Sequence, residues 1–210
     1  MENTKKLRVF HAQDWTEYSN WIDNKEIVDD LKDADLILFE GGADVSPKYY
    51  DQPPHKTTST DPGRDLQEKK MYDTALKLSI PMLGICRGAQ FITAMQPKGM
   101  LVQHQPNVSN HKMITFEENE ISVTSSHHQA MYPFNMDKKD YKILGWTENM
   151  LAFHKGGNDE ELAPEKECEM IFYPKVKALC IQSHPEWMAF DSPSNIWFRK
   201  IFDQFINNKL

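Results

Sequence analysis

Short apolar runs alternate with stretches of mixed polarity along this chain, and the alternation predicts strands that alternate with helices. The runs predicted as strands are Leu7–His11, 35–40, 81–85, 112–117, 121–124, 141–146, 150–154, 169–173 and 178–183. Helices are predicted over 27–32, over 65–78, from Gly88 onward, and over 193–205. Because strands that alternate with helices usually form a sheet covered on both faces, the pattern predicts an α/β fold with a mainly parallel central sheet.

Length and composition limit the classes of protein to which the chain can belong. Its 210 residues, 40% of them hydrophobic, are enough for a sizeable core, and we expect residues 1–210 to form a single domain. The net charge of −7 argues against nucleic acid or an anionic membrane as the main partner. The polar N-terminus lacks the apolar core of a signal peptide, and no apolar run approaches a membrane span. Three cysteines without metal-ligand spacing indicate reduced thiols, a cytoplasmic location and no metal site.

One cysteine stands between two glycines, in the run Gly84-Ile85-Cys86-Arg87-Gly88, where a predicted strand meets a predicted helix. This is the cysteine form of the nucleophile elbow, a sharp strand-to-helix turn that exposes a nucleophile. Glycines on both sides let the backbone turn without a Cβ clash, and the sulfur comes to lie near a helix N-terminus, which favours the thiolate. The pattern predicts that Cys86 attacks an acyl carbon.

A thiolate nucleophile needs a base, and the base needs an acceptor that orients it. The run Ser183-His184-Pro185-Glu186 directly follows the apolar strand predicted over 178–183. Since His184 and Glu186 are two residues apart, both can project from one short turn. We therefore expect Glu186 to orient the His184 imidazole while its other nitrogen faces Cys86.

Each of these features also has a purely structural interpretation. Cys86 could be an inert core cysteine, the histidine–glutamate pair could be a salt bridge within a turn, and Gly41-Gly42 could be a plain turn after a strand. Arg64 and Asp65 could simply cap the following helix. The aromatic side chains near the C-terminus are expected to pack the last helix rather than form a binding site: Trp187, Trp197, Phe198 and Phe202. The two motifs together, each after an apolar strand, favour the catalytic interpretation.

The runs PMLGICRGAQ at 81–90 and IQSHPE at 181–186 closely resemble the two signatures of class I glutamine amidotransferases. Three further features resemble the γ-glutamyl hydrolase branch of that family, which includes γ-glutamyl-GABA hydrolases: GGADVSP at 41–47, Arg64-Asp65 with Glu68, and SSHHQA at 125–130. The resemblance covers roughly residues 36 to 190. It implies a flavodoxin-like three-layer sandwich and a cysteine–histidine–glutamate triad.

Carried over to this chain, the resemblance makes Cys86 the nucleophile, His184 the base and Glu186 the orienting acid. It assigns the oxyanion of the tetrahedral intermediate to two backbone N–H groups, those of Gly42 and Arg87. A glycine pair at a strand end suits such a close backbone approach to a ligand.

The resemblance also implies how a glutamyl group is held. Gln90, one turn into the elbow helix, is placed to hold its α-amino or carboxylate group. His127 matches a segment that contacts the same part of the substrate, although it could equally order its loop by hydrogen bonds. The loop over 52–62, rich in Pro and Thr, is expected near the site. No cofactor is implied.

Three hypotheses follow for the function. The first is a stand-alone hydrolase that cleaves a γ-glutamyl amide through a glutamyl-thioester. The second is a glutaminase subunit that passes ammonia to a separate synthetase, since the same triad serves both. The third is a non-catalytic binding module on the same fold. The sequence leaves open the amine leaving group, the pathway and the oligomeric state, including a homodimer.

Overall fold

The computed structural model describes residues 5–106, 108–148 and 153–210. The strands are β1 Leu7–His11, β2 Lys25–Ile27, β3 Leu36–Phe39, β4 Met82–Ile85, β5 Met100–Val102, β6 Val108–Thr115, β7 Glu120–His127, β8 Ala130–Tyr132, β9 Lys142–Thr147, β10 Glu167–Tyr173 and β11 Ala178–Ile181. The helices are α1 Pro62–Leu78, α2 Arg87–Ala94 and α3 Pro193–Ile206. Among the described residues, no helix combines the length and the apolar character needed to cross a bilayer.

All of these strands belong to one sheet, whose order is β2-β1-β3-β4-β11-β10-β9-β6-β7, with β8 beside β10 and β5 beside β8. The first five strands of this order run parallel, and the pairings beyond β11 are antiparallel. The predicted α/β class is confirmed, but the mainly parallel arrangement holds only for one half of the sheet. Short connections explain why the other half is antiparallel. The few residues between β6 and β7, or between β10 and β11, cannot make the long crossover that parallel strands need.

Side chains alternate between the two faces of the parallel strands, and both faces are buried. On β3, Ile37 and Phe39 pack in one apolar cluster with side chains of α1 and α2. Leu36 and Leu38 pack in a second cluster with the aromatic face of α3. Two helices therefore cover one face of the sheet and one helix covers the other, which is the predicted three-layer sandwich.

The longer helices begin and end where their sequences provide the signals. Asp61 caps α1 by accepting hydrogen bonds from the N–H groups of Gly63 and Arg64, and Ser192 caps α3 in the same way through Asn195 N–H. Each helix has proline at its first position, where the missing N–H costs nothing. The helices predicted over 65–78 and 193–205 are thereby confirmed within three residues at either end.

The N-terminal region differs from its prediction. Instead of a helix over 27–32, Ile27 ends β2, and a 3₁₀ turn follows at Leu31–Asp33. The Asp30 side chain accepts a hydrogen bond from the Lys32 N–H and so closes a tight turn that is too short to become a helix. The three-residue strands β2, β5 and β8 were not predicted. Of the strand predicted over 150–154, residues 150–152 lie outside the described part, and 153–154 are not in a strand.

Candidate active site

The predicted chemistry converges at one edge of the sheet. Strands β3, β4 and β11 are parallel neighbours, so their carboxyl ends lie side by side. Gly41 and Gly42 follow β3, Cys86 follows β4, and His184 follows β11. In open α/β sheets this is the edge at which ligands bind.

The backbone at Cys86 forms the sharp turn that the sequence predicts. Cys86 has φ 52° and ψ −111°, a conformation that side-chain-bearing residues rarely adopt, and it sits at the N-cap of α2. Neither flanking glycine has a positive φ, and each avoids a Cβ clash with backbone that packs against it. A Cβ on Gly88 would collide with the Phe39 carbonyl, and a Cβ on Gly84 would lie 2.6 Å from the Gly88 backbone. Both glycines let α2 pack closely on the sheet, while Cys86 itself takes the strained angle.

His184 and Glu186 form the predicted pair. Glu186 Oε1 lies 2.6 Å from His184 Nδ1, and both side chains are almost completely buried. The His184 N–H donates to the Thr124 carbonyl at 2.7 Å, which fixes this turn on β7. Burial lowers the pKa of His184, but hydrogen bonds with Cys86 and Glu186 outweigh burial and raise the pKa to about 9. At neutral pH the imidazole is therefore protonated and lies between a thiol group and a carboxylate.

The aromatic residues near the C-terminus divide into two groups. Trp197, Phe198 and Phe202 lie on α3 and pack in the core as predicted. Trp187 does not: its indole stacks on the His184 imidazole with ring centroids 3.6 Å apart and planes within 5°. The prediction that Trp187 packs the last helix is wrong because the 3₁₀ turn Pro185–Trp187 directs it back over His184.

The glycine pair after β3 approaches other groups closely. Gly42 has φ +137°, which strains any other residue, and a Cβ there would collide with Arg64 Nη1. Arg64 donates through Nη2 to the Glu40 carbonyl at 3.0 Å, and so supports the backbone just before the pair. A Cβ on Gly41 would lie 2.5 Å from the hydroxyl oxygen of Tyr18. Close packing on both sides explains why two glycines stand here.

The Arg87 side chain points to α1. Its Nη2 lies 2.5 Å from Asp65 Oδ1, and its Nη1 bonds Glu68, which also accepts from Arg64 Nε at 2.7 Å. Asp65 also accepts from the Ser46 N–H at 3.1 Å, so the buried network reaches the loop after β3. Arg64 and Asp65 therefore form ion pairs rather than cap α1. The predicted role of Arg87 involves only its backbone N–H, which at the first position of α2 has no intrahelical acceptor.

A cleft of about 200 Å³ opens beside Cys86. Its walls come from the loop after β3, the loop before α1, the first turns of α2 and the turn between β7 and β8: Gly42, Ala43, Asp44, Ser59, Cys86, Gln90, Ser126, His127, His128 and Gln129. The structure thus brings Gly42, Gln90 and His127 to one cleft with Cys86, as the sequence predicted. Ser59 also places the loop over 52–62 at the site.

Gln90 and His127 share one acceptor across the cleft. Gln90 Nε2 donates to the Gln129 carbonyl at 2.9 Å, and His127 Nδ1 lies 2.8 Å from the same oxygen. Because Nδ1 must donate to that carbonyl, Nε2 of His127 carries the lone pair, and it has no hydrogen-bond partner within the described residues. Burial lowers the pKa of His127, so the ring is neutral. His127 therefore has one unpaired and buried acceptor, Nε2, within the described residues.

Several cleft residues had no role in the sequence-based prediction. Asp44 Oδ1 lies 3.2 Å from His128 Nε2, and this contact raises the pKa of His128. Both residues lie inside the recognised runs, so the motifs gave a signal for them. Tyr18, which lies near Cys86 without lining the cleft, had no such signal in the sequence. Burial is the largest cause that raises its pKa, and the nearby Glu186 and Cys86 raise it further.

Comparisons with known proteins identify the family and the fold. A family model described as Peptidase C26 matches residues 20–117. The glutamine amidotransferase-like protein YvdE of Lactococcus lactis is 30% identical over an alignment of 203 positions, gaps included, that covers 84% of this chain and 75% of that protein. Among solved structures, a glutamine amidotransferase of Thermotoga maritima superposes with TM-score 0.53 at 15% identity, over 97% of this chain and 86% of its own. The glutaminase domain of Trypanosoma brucei CTPS with bound acivicin superposes with TM-score 0.59 at 11% identity, over 98% of this chain and 95% of that domain's chain.

The fold, the residues at its carboxyl edge and the family match together define the class, a cysteine-type amidohydrolase or glutaminase. The two structural likenesses, at their low identities, show the fold alone. Identity of 30% across three quarters of a relative is stronger evidence, and the chain belongs to the glutamine amidotransferase-like family.

Proposed function

We propose that the protein is a cysteine hydrolase that cleaves a γ-glutamyl amide and releases glutamate and an amine. One observation carries the proposal: Cys86, at a strained strand-to-helix turn in the cleft, lies near enough to His184 to raise the pKa of that ring, and His184 Nδ1 lies 2.6 Å from Glu186 Oε1. A nucleophile, a base and an orienting carboxylate in this order form the arrangement that acyl transfer needs.

The chemistry has two halves. The Cys86 thiolate attacks the γ-carbonyl, and the backbone N–H groups of Gly42 and Arg87 stabilise the oxyanion. Protonated His184 gives its proton to the leaving amine as the C–N bond breaks, which leaves a glutamyl-thioester on Cys86. Neutral His184 then takes a proton from water as the water attacks the thioester, and glutamate leaves while the thiolate–imidazolium pair is restored.

The cleft supports a small ligand with an ammonium and a carboxylate group. His127 lines the cleft, and its Nε2 is a buried acceptor without a partner among the described residues, which suits a donor such as an α-ammonium group. Gln90 lies beside it, held by the Gln129 carbonyl. This arrangement supports a glutamyl group on the acyl side and does not define the amine on the other side.

A glutaminase subunit that supplies ammonia to a synthetase is the second candidate. It is favoured by the likeness in fold to the glutaminase domain of T. brucei CTPS. The two functions differ in what activates glutamine turnover, since a subunit needs its synthetase whereas a hydrolase acts alone.

Glutamate release from a panel of γ-glutamyl compounds, glutamine included, tests the proposal. We expect turnover by the purified protein and a loss of at least about a thousandfold in Cys86→Ala, because the covalent step disappears. Cys168→Ala is the matched control, since Cys168 is buried in β10 outside the cleft. Equal turnover in Cys86→Ala and wild type would end the proposal.

A labelling experiment separates the remaining hypotheses. Acivicin, the compound bound to the T. brucei domain, should label Cys86 of a catalytic protein in a mass spectrum. If Cys86 is labelled and glutamine is turned over only when a synthetase is present, the result would favour the glutaminase subunit. Folded protein that neither turns over substrate nor takes the label would favour a binding module.

A further inference from the structure

The indole of Trp187 covers one face of the His184 imidazole. The ring centroids are 3.6 Å apart and the planes differ by 5°, so the stack is nearly face to face. His184 is 3% exposed, whereas Trp187 is 53% exposed, and the indole therefore stands between the imidazole and solvent. The edges of the imidazole face other groups: Nδ1 lies 2.6 Å from Glu186 Oε1, and Cys86 is near enough to raise the pKa of the ring.

We propose that Trp187 is a positioning residue for His184: its indole holds the plane of the imidazole and favours the protonated ring. This inference rests on the proposed function, in which protonated His184 donates to the leaving amine. Trp187 is not among the residues that line the cleft in the described part of the chain, and it acts through the histidine.

The geometry supports a role beyond simple packing. Hydrogen bonds at two edges of a ring leave it free to tilt about the line that joins them, and a flat contact on one face removes that freedom. Two neutral aromatic rings prefer an offset or edge-to-face arrangement over a face-to-face stack. A cation lying over the face of an indole is favourable, and tryptophan is the best ring for it. The arrangement seen here therefore suits an imidazolium better than a neutral imidazole.

The other groups that face His184 support the same charge state. Glu186 lies on its own turn, Cys86 at the start of α2, and Tyr18 approaches from the N-terminal 3₁₀ turn with its ring centroid 6.0 Å away. On strand β7, the Thr124 carbonyl accepts a hydrogen bond from the His184 N–H. Glu186, Cys86 and Tyr18 can each carry negative charge, and none of these groups is a cation.

The titration of His184, followed by NMR in the Cys86→Ala background, tests the inference. That background removes coupling to the thiol, and the signal is assigned by its loss in His184→Gln. We expect Trp187→Leu to lower the pKa of His184 by roughly half a unit to one and a half units, the range of a cation–π contact. Trp187→Phe, which keeps a ring face, should lower it by less.

Phe190→Leu is the matched control, since Phe190 is 48% exposed and stacks on Arg199 at 3.7 Å instead of on the histidine. The inference is overturned if the pKa of His184 is the same in Trp187→Leu and Phe190→Leu. It is also overturned if Trp187→Phe lowers that pKa as much as Trp187→Leu does. Should Trp187→Leu fail to fold, Trp187→Phe against Phe190→Leu still decides, because the two must differ.

A kinetic measurement on the protein with Cys86 intact completes the test. A tilted His184 should lower kcat about tenfold in Trp187→Leu, with KM within about twofold of wild type, because substrate binding does not use the indole. A change in KM alone would contradict positioning. The NMR titration uses no substrate, so absent turnover in the wild type would defeat the proposed function without deciding the role of Trp187.

Discussion

The positive φ of Cys86 is an unusual backbone feature at the residue scale. Such a conformation costs about 1–3 kcal/mol and persists only where the surroundings determine it. Gly84 and Gly88 allow α2 to press against β3 and β4, and this packing holds the turn at Cys86. The strain lies on the residue that the proposed reaction uses.

The charge state of His184 leads to the first prediction. Glu186→Gln should lower the pKa of His184 from about 9 toward its ordinary value, because the neutral amide no longer attracts the imidazolium. We expect the variant to lose about 1–2 kcal/mol of unfolding free energy near pH 6. The measurement is urea denaturation at pH 6, 7.5 and 9.5.

The direction of the pH dependence follows from the raised pKa. A histidine whose pKa is higher in the folded state than in the unfolded state stabilises the fold fully below pH 6.5. That contribution is lost as pH rises through about 9, so wild type and variant should converge there. Glu165→Gln is the control, since its carboxylate is exposed and pairs loosely with Lys138. A difference that stays constant from pH 6 to 9.5 would contradict the assignment.

Local sequence patterns were sufficient for the central residues of the site. Cys86, His184 and Glu186 each stand directly after a buried strand, and parallel neighbours must end at the same edge. Tyr18 reaches the site only because the N-terminal segment folds back over Gly41. No short pattern carries that information, since it depends on packing between segments distant in the chain. The stack of Trp187 on His184 depends in the same way on the path of a short turn.

At the scale of elements, a buried ion network joins α1 to the start of α2. Arg87 lies between Asp65 and Glu68, and all three side chains are at most 1% exposed. Removal of one partner from a buried pair leaves an uncompensated charge, which is far more costly than the pair itself.

Arg87→Met should therefore destabilise the protein by about 3–5 kcal/mol in urea denaturation. Activity should fall as well, because α2 begins directly after Cys86. The control is Arg199→Met, whose partner Asp23 is mostly exposed, and we expect it to cost no more than about 1 kcal/mol. Equal stability of the two variants would show that the network contributes nothing beyond a surface pair.

The long helices could be predicted from the sequence, whereas the very short strands could not. Long apolar or capped segments such as α1 and α3 were found because their signals are local. The three-residue strands β2, β5 and β8 have no periodicity of their own and exist through pairing with their neighbours. The mixed direction of the sheet likewise depends on which strands meet across short turns.

At the scale of the whole molecule, the site joins the two halves of the sheet. Cys86, Gly42 and His184 come from the parallel half, whereas His127 ends β7 in the antiparallel half and Gln129 lies in the turn between β7 and β8. Gln90 crosses this boundary: its Nε2 donates to the Gln129 carbonyl at 2.9 Å and lies 3.3 Å from Gln182 Oε1. The amide of Gln90 therefore ties the elbow helix to the antiparallel half.

Gln90→Ala should loosen that half without unfolding the other. Loss of one buried hydrogen bond costs about 1.4 kcal/mol, so amides of the β7–β8 turn should exchange with solvent about tenfold faster, while those of β3 and β4 stay unchanged. Hydrogen exchange read by mass spectrometry measures both regions in one experiment. Glutamate release should fall in parallel, since His127 relies on the same Gln129 carbonyl.

Gln96→Ala provides the comparison, because Gln96 is also buried, follows the same helix, and bonds Tyr72 and the Ile92 carbonyl instead of the antiparallel half. It removes an equivalent side chain, so any general loosening of α2 should appear in both variants. Faster exchange in the β7–β8 turn of both would mean that the helix as a whole holds that turn. Faster exchange in Gln90→Ala alone is the expected result, since only that amide spans the two halves of the sheet across the cleft.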